Sequence, residues 1–405
     1  MKGEAAEVRD ASPGYAPQVE MPVVPESYKQ TEVGVIPEEW EVRTLGEVST
    51  FLDGQRRPVK ASDRAKMSGT IPYYGASGVV DYINDYLFDE ELILLGEDGE
   101  NILSRNLRLA FRISGKSWVN NHAHVIRPNS DISIGFLTEY LESLDYSGLN
   151  SGTAQPKLNK QKCLAIHVAV PPIVEQRAIA TALSDVDALL EALDRLITKK
   201  RDIKQATMQQ LLTGQTRLPG FEGEWEVQRL GEFAPLQRGF DLPTTQIKSG
   251  KYPVVYSNGI LNYHECYQVK GPGVVTGRSG TIGRVTFVSD HYWPHNTSLW
   301  VTNFKGNDPK FVFYLYSRLN FERFSSGSGV PTLNRNDLHA LDIFIPNELE
   351  EQVAISTVLS DIDAEIQALH QRRTKTAALK QAMMQELLTG RTRLVAPQAV
   401  AEAGA

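Results

Sequence analysis

The sequence predicts an α/β (α+β) fold with a pseudo-two-fold internal repeat, in which two similar globular domains are separated by two long antiparallel coiled-coil helices. Three observations predict it. QATMQQLLTGQTRL (205–218) returns as QAMMQELLTGRTRL (381–394), 176 residues on. Around it, EQRAIATALSDVDALLEAL (175–193) returns as EQVAISTVLSDIDAEIQAL (351–369), and EWEVRTLGEV (39–48) as EWEVQRLGEF (224–233). Ahead of each helical stretch, short β-like runs alternate with turn signals. A period this long is a duplicated domain-plus-helix unit and not a solenoid.

Residues 1–27 are rich in Pro, Glu and Ala and read as a flexible N-terminal extension. The first domain spans 28–170. Its strand-like runs are TIPYYGASGVVDYI (70–83), ELILLGEDG (91–99), WVNNHAHVIRP (118–128) and LAIHVAVPP (164–172), with GFLTEYLESL (135–144) a short helix. The first long helix spans 171–214 and the second domain 215–345. Matching runs in that domain are KYPVVYSNGILNYH (251–264), GPGVVTGRSGTIGRVTFV (271–288), LWVTNF (299–304) and LDIFIP (341–346), with PKFVFYLYSRL (309–319) as the helix. The second long helix spans 346–391, and 392–405 read as a flexible C-terminal tail.

The domains align only at skeleton positions. Pro72 matches Pro253, Gly78 matches Gly259, Gly96 matches Gly277 and Gly99 matches Gly280. Asn121 matches Asn296, and Leu158-Asn159 matches Leu333-Asn334. The helices, by contrast, are near-copies throughout. One part of the repeat is held alike while the other varies, which suggests a common docking scaffold carrying two different recognition surfaces.

The first helix sets apolar side chains at Ile179, Leu183, Val186, Leu190, Leu193 and Ile197, a heptad seam. The second repeats it at Ile355, Leu359, Ile362, Ile366 and Leu369. Pro171-Pro172 and Pro346 mark the starts, and Gly214 and Gly390 stand where glycines end helices. The plainer reading is a helical hairpin that only stabilises the fold. The near-identity of both copies along their exposed faces exceeds what seam packing needs.

Composition is that of a globular chain, with 41% hydrophobic and 22% charged residues. The two cysteines, Cys163 and Cys266, sit one per half and suit a reducing cytoplasm. No apolar run approaches a membrane helix, and the N-terminus lacks the apolar core of a signal peptide. The net charge of −7 argues against a global nucleic-acid surface. Its distribution softens that: residues 1–40 hold eight acidic and three basic side chains, while 226–345 hold twelve Lys/Arg against nine Asp/Glu.

Catalytic motifs are missing. The only Pro-Pro (AVPPIVEQ, 169–176) lacks the Asn and aromatic of an adenine methyltransferase motif. AFRISGKS (110–117) approaches a phosphate-cradling loop, but Ala110 stands in place of its first Gly. The eight histidines form no HExxH; His122 and His124 flank Ala123 on an expected strand, facing one side. A metal pair is the sharper reading of them, and structural or surface histidines the commoner one.

TEVGVIPEEWEVRTLGEV (31–48), P-x-x-x-EQ-x-x-I (171–179, its second copy at 346–355 one residue longer between Pro and EQ) and both LLTG-x-TRL motifs together resemble the specificity (S) subunit of type I restriction–modification systems. The resemblance covers nearly the whole chain. It implies two target recognition domains, each reading one half of an asymmetric bipartite DNA site, with the helices setting the spacing and docking methyltransferase subunits. TGRTRL (389–394) would lie near TEVGVIP and close a circular pseudo-symmetry. It also implies no enzyme in this chain and no cofactor of its own. S-adenosylmethionine, ATP and Mg would belong to two modification subunits and to restriction (translocase/nuclease) subunits, all cytoplasmic. The alternative is a coiled-coil scaffold with two protein-binding domains and no direct DNA readout, which predicts no salt-dependent DNA affinity. A nuclease using the histidines is a weaker rival.

DNA contacts should come from loops rich in Arg, Lys, Ser, Asn and aromatics. The candidates are Arg56, Arg57, Lys60, Tyr73, Tyr74, Lys157 and Lys160 in the first domain. In the second they are Arg238, Tyr256, Arg278, Arg284, Thr332 and Arg335. Taken singly, each is more often a solvated charge or a packed aromatic.

Overall fold

The structure, a computed structural model, describes residues 24–152, 155–326 and 330–395. The expected N-terminal extension, apart from its last four residues, and the tail from 396 lie outside them. The chain forms two compact units: one from the chain up to Leu189 together with the stretch from Thr376, the other Leu190–Lys375.

In the first unit an antiparallel sheet runs in the order Ser49–Phe51, Ala123–Pro128, Leu92–Gly96, Ala110–Ile113. Leu92–Gly96 (LILLG) is buried along its whole length, as a continuous apolar run requires when both faces of a strand are covered. A second sheet is built on the hairpin Ser68–Gly75/Gly78–Ile83, with Lys116–Val119 and Phe88–Asp89 added. The near-phosphate-loop at 110–117 is thus parts of two strands and a turn, with no helix to present an anion site. Helix Ile134–Ser143 starts at Ser133, whose hydroxyl accepts from the Phe136 amide, and buries Phe136, Leu137 and Leu141 in the core. Glu41–Thr44 pairs with His167–Val170, closing the domain at the foot of the first long helix.

The second unit repeats this order. Leu236–Arg238, Ser298–Val301, Gly273–Gly277 and Val285–Val288 form one sheet; Gly259–His264, Tyr252–Tyr256 and Trp293–Pro294 form the other. Helix Pro309–Arg318 is capped by Asp308, which accepts from the Phe311 amide at 2.7 Å, and opens with Pro309, whose missing N–H costs nothing in the first turn. Trp225–Arg229 pairs with Asp342–Pro346.

The long helices are Ile173–Leu211 and Leu349–Leu387, 39 residues each. At 1.5 Å per residue each is about 58 Å long. Within each unit their segments run antiparallel. In the first, Lys380 meets Asp187 at 2.7 Å while Arg393, beyond the helix end, meets Glu175 at 2.6 Å. In the second, Arg373 meets Asp194 at 2.5 Å and Lys204 meets Asp363 at 2.6 Å.

Of the seam positions, Ile179, Leu183, Leu193, Ile197, Ile355 and Leu359 are buried, and Val186, Leu190, Ile362, Ile366 and Leu369 half-buried. Ile179 and Leu183 join the first domain's core beside Met384, Leu387 and Leu388. Ile355 and Leu359 join the second's beside Leu211 and Leu212. The seam therefore continues into the globular cores.

Candidate nucleic-acid interface

In the first domain the buried strand Leu92–Gly96 runs out into the loop Glu97-Asp98-Gly99. A strap of chain, 156–158, crosses it: the Gly99 amide donates to the Pro156 carbonyl (3.0 Å) and the Leu158 amide to the Glu97 carbonyl (2.7 Å). The Glu97 amide donates to the His122 carbonyl at 2.8 Å. The second domain makes the same bonds. Gly280 donates to Pro331 (3.0 Å), Leu333 to Arg278 (2.8 Å) and Arg278 to Thr297 (2.9 Å). Each strap then enters a short helix capped by an asparagine, Asn159 accepting from Gln161 at 2.8 Å and Asn334 from Asn336 at 3.0 Å. Glycine is required where the loops leave their strands. A Cβ on Gly96 would lie 2.8 Å from the Ala76 carbonyl oxygen, and one on Gly277 2.9 Å from that of Ser257.

The side chains on this shared backbone differ. In the first domain Arg56 donates to Glu97 (2.6 Å) and to the Ala123 carbonyl (2.7 Å). Asp53 accepts from His124 Nδ1 at 2.7 Å and from the Val125 amide at 3.0 Å. His124 is only 1% exposed and its Nε2 lies 3.1 Å from the Leu158 carbonyl. Both ring nitrogens face acceptors, so both donate and the ring is an imidazolium. Burial opposes its charge, but the Asp53 carboxylate, with a smaller contribution from the Cys163 side chain, outweighs that and raises its pKa to about 10. Lys157 reaches Glu97 at 3.2 Å, and His122 Nδ1 lies 2.9 Å from both Asp98 oxygens.

In the second domain Arg278 stands in the place of Glu97, Ser279 of Asp98, Thr297 of His122 and Leu299 of His124. Arg278 donates to the Asn296 carbonyl at 3.3 Å, and Thr297 Oγ1 lies 3.0 Å from His295 Nδ1.

The expected contact residues separate into distinct environments. Tyr73 is a core residue: it is buried, its hydroxyl accepts from the Val59 amide (3.0 Å), and Arg64 lies 4.8 Å over its ring. Arg56 is largely buried and bonded within the fold, to Glu97 and to the Ala123 carbonyl. Tyr74 is half-buried against Phe111. Arg57, Lys60 and Lys157 are exposed, and Lys160 is half-buried with Nζ 5.7 Å from the Phe51 ring. In the second domain Arg278, Thr332 and Arg335 gather at the strap, where Ser279 bridges to Thr332 and Arg335 opens the following helix. Arg284 is exposed beside the Gly259 turn, and Arg238 is exposed and paired with Asp241 at 3.0 Å. Tyr256 accepts from Asn262 at 3.2 Å and packs on His295.

His122 and His124 do not share a strand face. The strand begins at Ala123, so His122 lies in the preceding turn, outside the alternation. No metal-holding cluster occurs among the described residues. Sequence reasoning passed over Asp53, Glu97 and Asp98. The matched Gly96/Gly99 and Gly277/Gly280 spacing marks the loop of Glu97 and Asp98, but not that its side chains matter, and Asp53 lies elsewhere, in the turn Asp53–Gln55.

A second duplicated site lies at the helix starts. Glu175, fully buried, accepts from Arg393 at 2.6 and 2.8 Å and from the Trp40 indole at 3.1 Å. Glu351, 1% exposed, accepts from Arg217 at 2.9 and 2.6 Å and from the Trp225 indole at 3.2 Å. The next residue in each copy is also matched. Gln176 binds the Ser133 amide and the Pro171 carbonyl, and Gln352 binds the Asp308 amide and the Pro346 carbonyl. In the first unit Tyr28 adds a hydrogen bond to the Gly390 carbonyl at 2.9 Å, so TGRTRL meets the segment around TEVGVIP as expected.

Comparison with known proteins agrees with this duplication. The type I restriction modification DNA specificity domain matches twice, over residues 37–200 and 222–379. A putative type I restriction enzyme specificity subunit of Haemophilus influenzae is 28% identical over 347 residues, covering 80% of this chain and 88% of that one. A type I restriction enzyme specificity subunit of Methanocaldococcus jannaschii is 23% identical over 421 residues, covering 91% and 96%. In fold, the chain is similar to the crystal structure of a type I restriction-modification S subunit from M. genitalium, with TM-score 0.62, 14% identity and 86% and 96% coverage. With both halves matched and each carrying the same strapped loop, the chain belongs to the type I restriction modification DNA specificity family.

Proposed function

We propose that this chain is the non-catalytic specificity subunit of a type I restriction–modification complex, each of its domains reading one half of an asymmetric two-part DNA site. Recognition of DNA sequence follows from the family. The reading of two different halves is carried by one observation: the same strapped backbone presents Glu97, Asp98, His122 and Lys157 in one domain and Arg278, Ser279, Thr297 and Thr332 in the other. Hydrogen-bond donors and acceptors are what distinguish base edges in the major groove, so exchanging them on a fixed backbone changes the sequence read.

Methylation and cleavage belong to partner subunits, with S-adenosylmethionine, ATP and Mg acting there. Two copies of the modification subunit dock on the helices. Gln205, Ala206 and Gln209 are exposed and return as exposed Gln381, Ala382 and Gln385, a repeated surface that packing within this chain does not require. The test is to copurify the chain with its methyltransferase subunit and map methylated adenines. A single two-part motif is expected, with one half altered when residues 226–345 are exchanged for those of a relative. Assembly without any sequence preference, and DNA affinity that ignores salt, would refute the reading.

A further inference from the structure

His122 is anchored on every side but one. Its amide donates to the Asn120 side-chain oxygen at 2.8 Å, and its carbonyl accepts from the Glu97 amide at 2.8 Å. Its Nδ1 is held by both oxygens of Asp98 at 2.9 Å. Yet half of its side chain (50%) is open to solvent. Among the described residues nothing meets Nε2. Fixing a half-exposed ring through Asp98 costs rotamer entropy and pre-organises the ring's other nitrogen for something outside the chain.

The direction of that hydrogen bond sets the chemistry. A carboxylate only accepts, so Nδ1 carries the proton and donates to Asp98. In the neutral ring Nε2 then carries a lone pair and accepts. In the major groove the matching donors are the exocyclic amino groups, N6 of adenine and N4 of cytosine. Position also favours readout. His122 sits on the strapped loop cluster, where the two domains share a backbone and differ in polar side chains, and its counterpart Thr297 has its hydroxyl turned to His295 and the Ser257 amide.

Resting on the DNA-reading role proposed above, we infer that His122 is a specificity-determining residue of the first domain, accepting a hydrogen bond at Nε2 from the exocyclic amino group of an adenine or cytosine, and that Asp98 is its positioning residue. His124, two residues on, takes no part: both its nitrogens are used inside the fold.

The test is adenine-methylation mapping with the full chain and its methyltransferase subunit, comparing wild type, His122→Ala, His122→Gln and Asp98→Asn, alongside DNA affinity as a function of salt. His122→Ala should relax one position of one half-site, lowering discrimination there roughly ten-fold, while the other half-site and the salt slope stay unchanged. Asp98→Asn should relax the same position. The base lost at that position identifies adenine or cytosine as the donor. His122→Gln keeps a polar side chain at this half-exposed site and guards against a folding defect in the alanine variant. An unchanged motif in both His122 variants would overturn the inference. So would relaxation at a position where wild type demands guanine or thymine, or a loss of affinity that is uniform over sequences with a shallower salt slope, which marks a phosphate contact. If wild type itself methylates no two-part motif, the broader functional reading fails, independently of His122.

Discussion

The loop after Gly96 and the loop after Gly277 share their backbone hydrogen bonds and almost none of their side-chain chemistry. The helix starts behave in the opposite way: Glu175 with Arg393 and Trp40, and Glu351 with Arg217 and Trp225, agree atom for atom in their bonding. The two regions answer to different partners. At the helix starts each side chain is matched by another inside the chain, so changing one strands a buried charge. On the strapped loops the backbone bonds are what the two domains share, and side chains can change provided each set satisfies itself.

That contrast can be broken first at the helix starts. Arg393→Ala and Arg217→Ala each leave a buried carboxylate with only an indole donor; Arg393→Ala should cost about 3 kcal/mol or more, as losing one partner of a buried ion pair does, and Arg217→Ala, which removes the more exposed guanidinium, should destabilise in the same direction by less. Urea unfolding measures both, and a large loss at one site with none at the other would end the claim of equivalence. The glycines that turn the chain after each helix give a graded version. Gly214 and Gly390 have φ of 71° and 70°, so alanine at either costs about 1–2 kcal/mol. Gly390→Ala should cost about 1 kcal/mol more, because its Cβ would lie 2.5 Å from the Pro37 ring, whereas the nearest atom to a Cβ on Gly214, in the Trp225 ring, is at 3.2 Å. Equal thermal shifts would contradict that ordering.

A further effect concerns pH and separates the domains. His124 has its pKa raised from 6.5 to about 10, so the stability it contributes is complete below pH 6.5 and is lost as pH rises from there to about 10. Its counterpart Leu299 cannot titrate. Nuclear magnetic resonance should find the His124 ring still protonated at pH 8.5, and unfolding midpoints of the first unit should decline over that interval. A His124 ring that titrates near 6.5 would remove the buried imidazolium from the account.

What the sequence showed of all this follows from what repeats. Near-identical helices and the EQ, EWEV and TRL motifs were visible because each is one half of an internal contact and is therefore kept twice. Their pairing was not visible, since Arg393 and Glu175 are 218 residues apart. The strapped loops left only their glycines, because backbone bonds place no demand on side-chain identity. A count of charges and rings cannot separate a cation held by Glu97, such as Arg56, or a ring beneath Arg64, such as Tyr73, from one facing solvent. His122 falls outside the alternation because WVNNHAHVIRP is not one strand: Lys116–Val119 and Ala123–Pro128 belong to different sheets, and His122 lies in the turn between them.

The discontinuity of the first unit has a bearing on synthesis. Its core contains Met384, Leu387 and Leu388, and its buried Glu175 is neutralised by Arg393, whereas the second unit is one continuous stretch, Leu190–Lys375. Domains made first on the ribosome ordinarily fold first. Here the first domain to emerge is the last that can be finished, waiting with an open core and an unpaired carboxylate until nearly the whole chain has been made. A premature stop after residue 375 would therefore do its damage at the opposite end of the sequence, in the domain already translated, and leave the domain nearest the stop intact.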